Sequence, residues 1–325
     1  MPATDIAIVG WAQTPAVART DATEPQLCMQ ANLAAIAMAG IERSDIGFTC
    51  AGSCDYLTGG PFAFVQNLDA AGAWPPIAES HVEMDGAWAL YEAWVRLQHG
   101  DIDVALVFVS GKSSPSDPAE LYPQQLDPYY LEPLGLDPAS IAALQARALL
   151  DTGRATERDF AEVVARSRRD ARTNPNAHVR DEDDPERLLA APYTRNPLRA
   201  HDVYRQAGIT DPKAQIDVAE LYVPFSWYEP MWLEGHDIAP PGGGWKMVDD
   251  GETEIEGAFP VNPSGGVLSS NPIGASGMLR MAEAANQVRG QAGEHQVDGA
   301  RVSLGQAYGG NAQYFAMAIF SSTRS

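Results

Sequence analysis

The chain has 325 residues, of which 45% are hydrophobic, and it carries a formal net charge of −21 with only three lysines. Such a chain is disfavoured as a binder of nucleic acid or of anionic membrane surfaces, because both carry charge of the same sign. Its length is sufficient to bury a large core and favours two lobes over one.

The N-terminal stretch MPATDIAIVGWAQTP has no basic-plus-apolar signal peptide, and no apolar run in the chain is long enough to span a membrane. The cysteines, Cys28, Cys50 and Cys54, are odd in number and show no paired metal spacing. We therefore expect free, mostly buried thiols and a cytoplasmic protein. Metal or redox chemistry at Cys50 and Cys54 is the weaker alternative, because no histidine lies nearby.

Hydrophobic patterning in residues 1–112 alternates between strands and helices. The apolar run DVALVFVS is typical of a strand buried on both faces of a parallel sheet. This order predicts a doubly wound α/β half. The predicted elements are strands at 5–10, 46–51 and 103–110, and helices at 27–40 and 84–99.

The chain changes character after residue 112 and then repeats itself. Residues 113–200 are Pro-rich and acidic, with short helices predicted at 141–153 and 157–174, and we interpret them as an inserted loop or lid domain. Residues 201–325 resemble the first half, because in each half an amphipathic helix ends at Gly and is followed by a strand. The predicted divisions are therefore 1–112, 113–200 and 201–325. Convergent α/β patterning is the alternative explanation of the repeat.

Residues 260–277, PVNPSGGVLSSNPIGASG, carry the most specific local signal. This Gly- and Pro-rich stretch leads into the helical run MLRMAEAANQVRG. A tight loop that ends at a helix N-terminus collects free N–H groups and favours anions or oxyanions. An ordinary loop-to-helix junction is the alternative.

These motifs resemble the C-terminal signature of the thiolase superfamily. The resemblance rests on NPSGG, NPIGASG and a helix ending in QVRG. The family's corresponding turn usually reads Gly-His-Pro, and here Asn271 replaces the histidine. The resemblance is to the sterol-carrier and lipid-transfer-protein thiolase-like branch, of the type found in actinobacterial steroid catabolism. It implies a layered αβαβα fold of two similar halves with an inserted loop domain.

One part of the family pattern is missing. The first lobe normally closes with a strand bearing Asp-Gly-Ala, and the second lobe opens with its own strand. Here residues 197–199 lead almost directly into a helix predicted at 203–208. A natural deletion and a fusion of two lineages both explain this join.

A thiolase places a nucleophilic Cys at a helix N-terminus, where the helix dipole lowers the thiol pKa. In this sequence the resemblance places Glu83 at that position, with no Cys in reach. The alternative is an ordinary acidic residue that interacts with the helix dipole. His81 lies two residues earlier and is a candidate substrate-binding residue, with a surface or capping role as its alternative.

The second family element reads AELYVPF and places Tyr222 where the family has Asn or His. This resembles the thiolase-like aldolases of steroid side-chain breakdown, in which a polarised phenol takes a proton from an alcohol. A core tyrosine with its hydroxyl bonded is the alternative. The aromatic residues that follow predict either core packing or a wall for a flat polycyclic acyl group.

Two further positions complete the candidate catalytic set. Asn271 can donate a hydrogen bond to a thioester oxygen but cannot shuttle protons. Tyr308 stands where the family has its second Cys. The candidate substrate-binding residues are His81 together with the loop positions Gly274, Ser276, Gly277, Gly309 and Gly310.

The resemblance implies acyl-CoA chemistry without a Cys nucleophile. Retro-aldol cleavage of a β-hydroxyacyl-CoA is the first hypothesis, with coenzyme A present only as part of the substrate and with no metal or other cofactor. A non-catalytic acyl-CoA or lipid-binding subunit, or a residual acyltransferase, is the alternative. The implied partners are a small OB-fold acyl-CoA-binding protein and a second thiolase-like chain, in a homodimer or a heterodimer.

Overall fold

The computed structural model describes residues 5–58, 62–72, 78–113, 115–181, 183–190, 209, 211–309 and 314–323. The strands are β1 (Phe48–Ser53), β2 (Ala78–Glu83), β3 (Ala105–Val109), β4 (Val218–Glu220), β5 (Val302–Gly309) and β6 (Tyr314–Ser321). The α-helices are α1 (Glu24–Ala39), α2 (Asp55–Thr58), α3 (Ala63–Ala71), α4 (Gly86–His99), α5 (Pro118–Leu121), α6 (Pro138–Asp151), α7 (Glu157–Asp170), α8 (Pro185–Leu189), α9 (Pro212–Gln215), α10 (Tyr228–Gly235), α11 (Gly244–Asp249), α12 (Gly266–Ser269) and α13 (Ser276–Arg289). Short 3-10 helices lie at Arg43–Asp45, Tyr122–Gln125, Glu132–Leu134, Ala171–Thr173 and Gly293–His295.

The first sheet is parallel and has the strand order β2-β1-β3. Every residue of the central strand β1 is buried, because helices cover both of its faces. Ala51 packs with α1 and α3, whereas Phe48 and Cys50 pack against α4. The period-2 alternation of side chains thus divides one strand between two apolar clusters.

The second sheet has the order β4-β5-β6, with β4 parallel and β6 antiparallel to β5. Helix α13 packs on it. The unit β4–α13–β5 matches β1–α4–β3 in order and strand direction, and α4 contacts α13. This arrangement agrees with the predicted α/β fold and with the similarity between residues 87–109 and 278–307. The largest apolar cluster surrounds Trp232 and Leu304 beside this sheet.

Several predicted elements are wrong or incomplete. Residues 5–10 form no strand. Helix α4 begins at Gly86, two residues later than predicted. The sequence analysis missed β2, whose sequence AESHVE is polar and lacks clear alternation, and also missed α3. The join at 197–208 lies outside the described residues.

Residues 113–190 contribute helices and, in the part that is described, no strand. Helix α7 attaches this segment to the second half through Phe160, which contacts Trp227 and Trp245. A buried ion pair between Arg166 and Glu229 adds a polar anchor. In the described residues, no helix combines the length and hydropathy needed to cross a membrane.

Candidate active site

Asp85 links the two central helices at the middle of the molecule. It is the N-cap of α4, and its Oδ1 accepts from the Ala87 N–H at 3.0 Å. The same carboxylate accepts from Gly277 N–H at 2.8 Å and from Met278 N–H at 2.7 Å, in the first turn of α13. Burial raises the pKa of Asp85 to about 6, although these three hydrogen bonds oppose the shift.

This shared cap occupies backbone N–H groups at the α13 N-terminus that the sequence analysis had proposed for substrate binding. The backbone N–H of Gly277 was a candidate for substrate binding, but it donates to Asp85 instead. Glycine is required there, since a Cβ would lie 2.5 Å from Ala307 Cβ and 2.7 Å from Asp85 Oδ1. The preceding Gly274 has φ +94°, a conformation that favours glycine and turns the loop towards α13.

Glu83 is not at a helix start, contrary to the expectation from sequence. It is the last residue of β2, and its Oε1 accepts from the Asp55 N–H at 2.7 Å. Burial raises the pKa of Glu83, while bonds from the Asp55 backbone and the Cys54 thiol partly offset the shift. The carboxylate therefore holds the start of α2 to the carboxyl end of β2.

The first residue of α4 is Gly86, and no side chain fits there. A Cβ at this position would lie 2.9 Å from Val109 Cβ and 3.1 Å from Met278 Cβ. The position at which a helix dipole activates a thiol is thus closed. Burial also raises the pKa of Cys28 and of Cys50 to about 12, so neither is a thiolate at neutral pH.

His81 belongs to a small polar group at the carboxyl ends of β1 and β2. Its Nε2 lies 2.9 Å from Ser53 Oγ and 3.8 Å from Glu83 Oε2, and Phe64 stacks on the ring at 4.5 Å between centroids. Burial lowers the pKa of His81, so the ring is neutral at pH 7. Both polar contacts use the same nitrogen, so Glu83 does not orient the ring as a third member of a triad would.

Tyr222 and Asn271 lie together, as the sequence predicted. The Tyr222 hydroxyl donates to Asn271 Oδ1 at 3.3 Å, and Ser276 Oγ donates to the same oxygen at 2.7 Å. These two bonds leave the Asn271 amide NH₂ group to donate to a ligand. The Gln306 side chain fixes the Tyr222 backbone by accepting from its N–H at 2.7 Å. Burial and then the negative charge of Asp85 raise the Tyr222 pKa well above its ordinary value.

Tyr308, near the end of β5, joins this group. Its ring lies 5.5 Å from the Tyr222 ring, and its hydroxyl accepts a hydrogen bond from Tyr228. Burial raises the pKa of Tyr308, whereas the bond from Tyr228 partly lowers it. Gly309 lies against Met84 and Trp88. Gly310 lies outside the described residues.

Two tyrosines of the site were missed as functional candidates. Tyr228 was assigned only to an aromatic cluster, and its bond to Tyr308 depends on folding. Tyr122 comes from the inserted segment, and its pKa is raised by burial and by the nearby Cys54 and Tyr308. It therefore lies between the group around Glu83 and the group around Tyr308. Its only signal in the sequence was an aromatic residue within an otherwise polar segment.

A cavity of about 1880 Å³ extends from the site. Asn271 and Pro272 lie on its wall, and residues 5–20, α1, α4, β3 and α13 enclose it. Trp88, Leu279 and Phe315 contribute to its largely apolar lining. The donor group of Asn271 therefore lies at the edge of a space large enough for a bulky apolar ligand.

Comparison with families and curated proteins identifies relatives of the C-terminal part. A model described as thiolase C-terminal domain-like matches residues 190–322. Human sterol carrier protein 2 is 41% identical over 106 residues, which are 32% of this chain and 19% of that protein. The acetyl-CoA acetyltransferase of Methanothermobacter thermautotrophicus is 36% identical over 123 residues, 38% of this chain and 32% of that enzyme. The chain thus matches only a fifth to a third of these relatives' length.

Solved structures match over nearly the whole chain. An Ltp2–ChsH2(DUF35) aldolase structure has a TM-score of 0.77 at 22% identity and covers 97% of both chains. A monomeric SCP2-thiolase-like protein type 1 from Mycobacterium smegmatis has a TM-score of 0.66 at 17% identity, covering 98% of this chain and 77% of that one. At these identities the likeness establishes a shared fold.

Proposed function

We propose that this chain is a thiolase-superfamily protein of the branch that includes sterol carrier protein 2, and that it cleaves a β-hydroxyacyl-CoA by a retro-aldol reaction. The observation that carries the proposal is the contact between Tyr222 and Asn271 beside a closed helix N-terminus. A phenol and an amide form this contact, and Gly86 leaves no room for a thiol at the first residue of α4. The aldolase among the structural neighbours supports the same reaction class.

The reaction breaks the bond between Cα and Cβ of the substrate. The electron pair of the β-hydroxyl O–H bond forms the ketone, and the pair of the Cα–Cβ bond becomes the enolate of the shortened acyl-CoA. Asn271 Nδ2 donates to the thioester oxygen, on which this negative charge develops. The enolate then takes a proton at Cα, so no oxidant or further reactant is required.

The raised pKa values of both phenols define how they take part. At neutral pH Tyr222 and Tyr308 are protonated, so neither acts as a free phenolate base. A phenol in this state accepts the substrate hydroxyl proton only as it gives up its own. We assign Tyr222 or Tyr308 this relay role, with the released phenolic proton delivered towards Cα.

The apolar cavity supports a bulky lipid or steroid acyl group as the substrate class. Its volume of about 1880 Å³ exceeds the usual range of about 300–1,000 Å³ for small-molecule sites. Coenzyme A enters as part of this substrate. A small OB-fold partner, and pairing with a second thiolase-like chain, belong to the same proposal. The aldolase neighbour, which combines Ltp2 with ChsH2(DUF35), supports a two-component assembly.

The direct test is mass spectrometry of the purified protein incubated with β-hydroxy steroid acyl-CoAs, alone and with a candidate OB-fold partner. We expect a shortened ketone together with acetyl- or propionyl-CoA. Recovery of intact substrate in every combination contradicts the proposal.

A non-catalytic acyl-CoA or lipid-binding subunit is the second candidate. The observation that favours it is the occupation of the α13 N-terminus by Asp85, because those N–H groups are then not free for an oxyanion. The relatives named sterol carrier protein 2 are consistent with lipid binding. If this candidate is correct, the substrate is recovered bound and uncleaved, and Tyr222→Phe does not change how much substrate is bound.

A further inference from the structure

A second cavity lies apart from the tyrosine site, between the end of the inserted helical segment and the turn that follows α13. Its volume is about 420 Å³. Arg172, Thr173 and Arg180 line one side, and Glu294 and His295 line the other. Two guanidinium groups at one cavity are notable in a chain whose net charge is −21, because most of its surface repels anions.

His295 is a buried residue that lines this cavity. The residue is 5% exposed, and its Nε2 lies 3.3 Å from Glu283 Oε2, whereas Nδ1 has no hydrogen-bond partner. Burial lowers the pKa of His295, but the hydrogen bond and charge of Glu283 outweigh this effect and raise it above its ordinary value. A protonated ring bound to Glu283 through Nε2 carries an Nδ1–H that is unsatisfied in the protein.

The arginines differ in how strongly they are held. Arg172 donates through Nη2 to Asp183 at 2.8 Å, which leaves its other N–H groups available. Arg180 is exposed and forms no ion pair within the described ranges. Its backbone is anchored nearby, because the Val179 N–H donates to Ser269 O at 2.8 Å. Asp183 pairs with Arg172, Glu283 pairs with His295, and Glu294 also lies on the wall, so among the described residues Arg180 is the cation of this lining that has no ion pair.

We propose that this cavity binds a phosphate group. The planar guanidinium groups of Arg172 and Arg180 suit phosphate oxygens, and the Nδ1–H of a protonated His295 supplies a further donor, whereas the Thr173 hydroxyl already donates to Asp170 O. A buried donor without a partner is costly, and an anion in the cavity removes that cost. A neutral ligand leaves the Arg180 charge without a partner in the described part of the chain, so the chemistry favours an anion.

The phosphate can belong to coenzyme A or be free inorganic phosphate. Glu283, the partner of His295, lies seven residues beyond Ser276 on α13, which is about 10 Å along the helix at 1.5 Å per residue. The cavity is therefore separate from the reactive groups and lies on the same helix. If the bound phosphate belongs to coenzyme A, the inference rests on the proposed function; if it is free phosphate, the inference does not depend on that function.

The test is calorimetric titration of the full chain with inorganic phosphate, coenzyme A and dephospho-coenzyme A, which lacks the 3′-phosphate. We expect phosphate to bind and Arg180→Gln to weaken binding about tenfold or more, as is typical for loss of a charged hydrogen bond. Arg154→Gln removes an exposed arginine elsewhere and should leave the affinity unchanged. Equal affinities for the wild type and Arg180→Gln, or no binding of phosphate, overturn the proposal.

The three ligands separate the sources. If coenzyme A binds more tightly than dephospho-coenzyme A, and Arg180→Gln abolishes the difference, the site holds the coenzyme's 3′-phosphate. If inorganic phosphate binds and the two coenzymes do not differ, the site holds free phosphate. Tyr222→Phe should not alter phosphate affinity, so a failure of the aldolase proposal is distinguishable from a failure of this one.

Discussion

The Asp85 carboxylate accepts a 2.8 Å hydrogen bond from the backbone N–H of Gly277, although 192 positions separate the two residues. This bond joins the N-terminus of α4 in the first half to that of α13 in the second. The two helices meet at their positive ends, and one buried carboxylate compensates for both. The candidate site residues Tyr222 and Asn271 lie together near this junction.

Replacing Asp85 with Ala should destabilise the fold by about 2–4 kcal/mol, since it leaves three backbone N–H groups without their acceptor. Urea denaturation measures the change. Asp184→Ala is the matched control, because Asp184 is an exposed cap of one short helix, and it should cost about 1 kcal/mol. Equal effects of the two substitutions contradict the shared-cap assignment.

The Asp85 carboxyl should make stability depend on pH. Its folded pKa of about 6 lies above the ordinary value of 3.8, so its stabilising contribution is complete below about pH 4. That contribution is lost as pH rises through 6 and amounts to about 3 kcal/mol at most. The difference in unfolding free energy between wild type and Asp85→Asn, measured from pH 4 to 7, isolates this effect from the other carboxyls. A difference that is constant with pH refutes it.

Tyr222→Phe removes the hydroxyl that donates to Asn271 while keeping the ring. If Tyr222 is the relay, we expect the cleavage rate to fall about 10²- to 10⁴-fold, as for loss of a general acid–base group. Acyl-CoA affinity should be retained, because the packing surface of the ring is unchanged. Tyr129→Phe, at an exposed tyrosine, is the control for the substitution itself. A rate equal to wild type assigns the relay to Tyr308 or removes it altogether.

Tyr228→Phe should act through Tyr308. The Tyr228 hydroxyl donates to Tyr308 and lowers its pKa, so removing the donor should raise that pKa further. We expect slower cleavage, with the alkaline limb of the pH–rate profile moved to higher pH and stability reduced by about 1 kcal/mol. A purely structural role for Tyr228 would lower stability and leave the pH profile in place.

Gly86→Ala should cost about 1–3 kcal/mol, because the added Cβ meets Val109 and Met278 at close range. Thermal unfolding measures the loss. Gly47→Ala is the control, since a Cβ there has no neighbour nearer than 3.4 Å. A Gly86→Ala variant as stable as the control would mean that the helix start has room for a side chain.

Local patterning was sufficient for the parts of the fold in which neighbours along the chain decide the structure. The helices near residues 84–99 and 157–174, the buried strand near 103–110 and the loop before α13 were all predicted within a few residues. Polar β2 was missed because its strand conformation depends on pairing with β1 and not on its own hydrophobicity. Residues 5–10 have a strand-like pattern but form no strand, since pairing with a distant segment decides strand formation and is not encoded in local alternation.

The same division applies to the candidate site. The sequence alone shows that no Cys stands near the start of α4, and the resemblance of its motifs implies that Asn271 stands in place of the family's histidine, since composition and motif order are properties of the sequence. The tertiary structure moved the helix start from Glu83 to Gly86, made Asp85 a cap for two helices and brought Tyr228 and Tyr122 to Tyr308. These relationships join residues up to 192 positions apart, and hydrophobic periodicity reports only on neighbours within a few turns of one helix or strand.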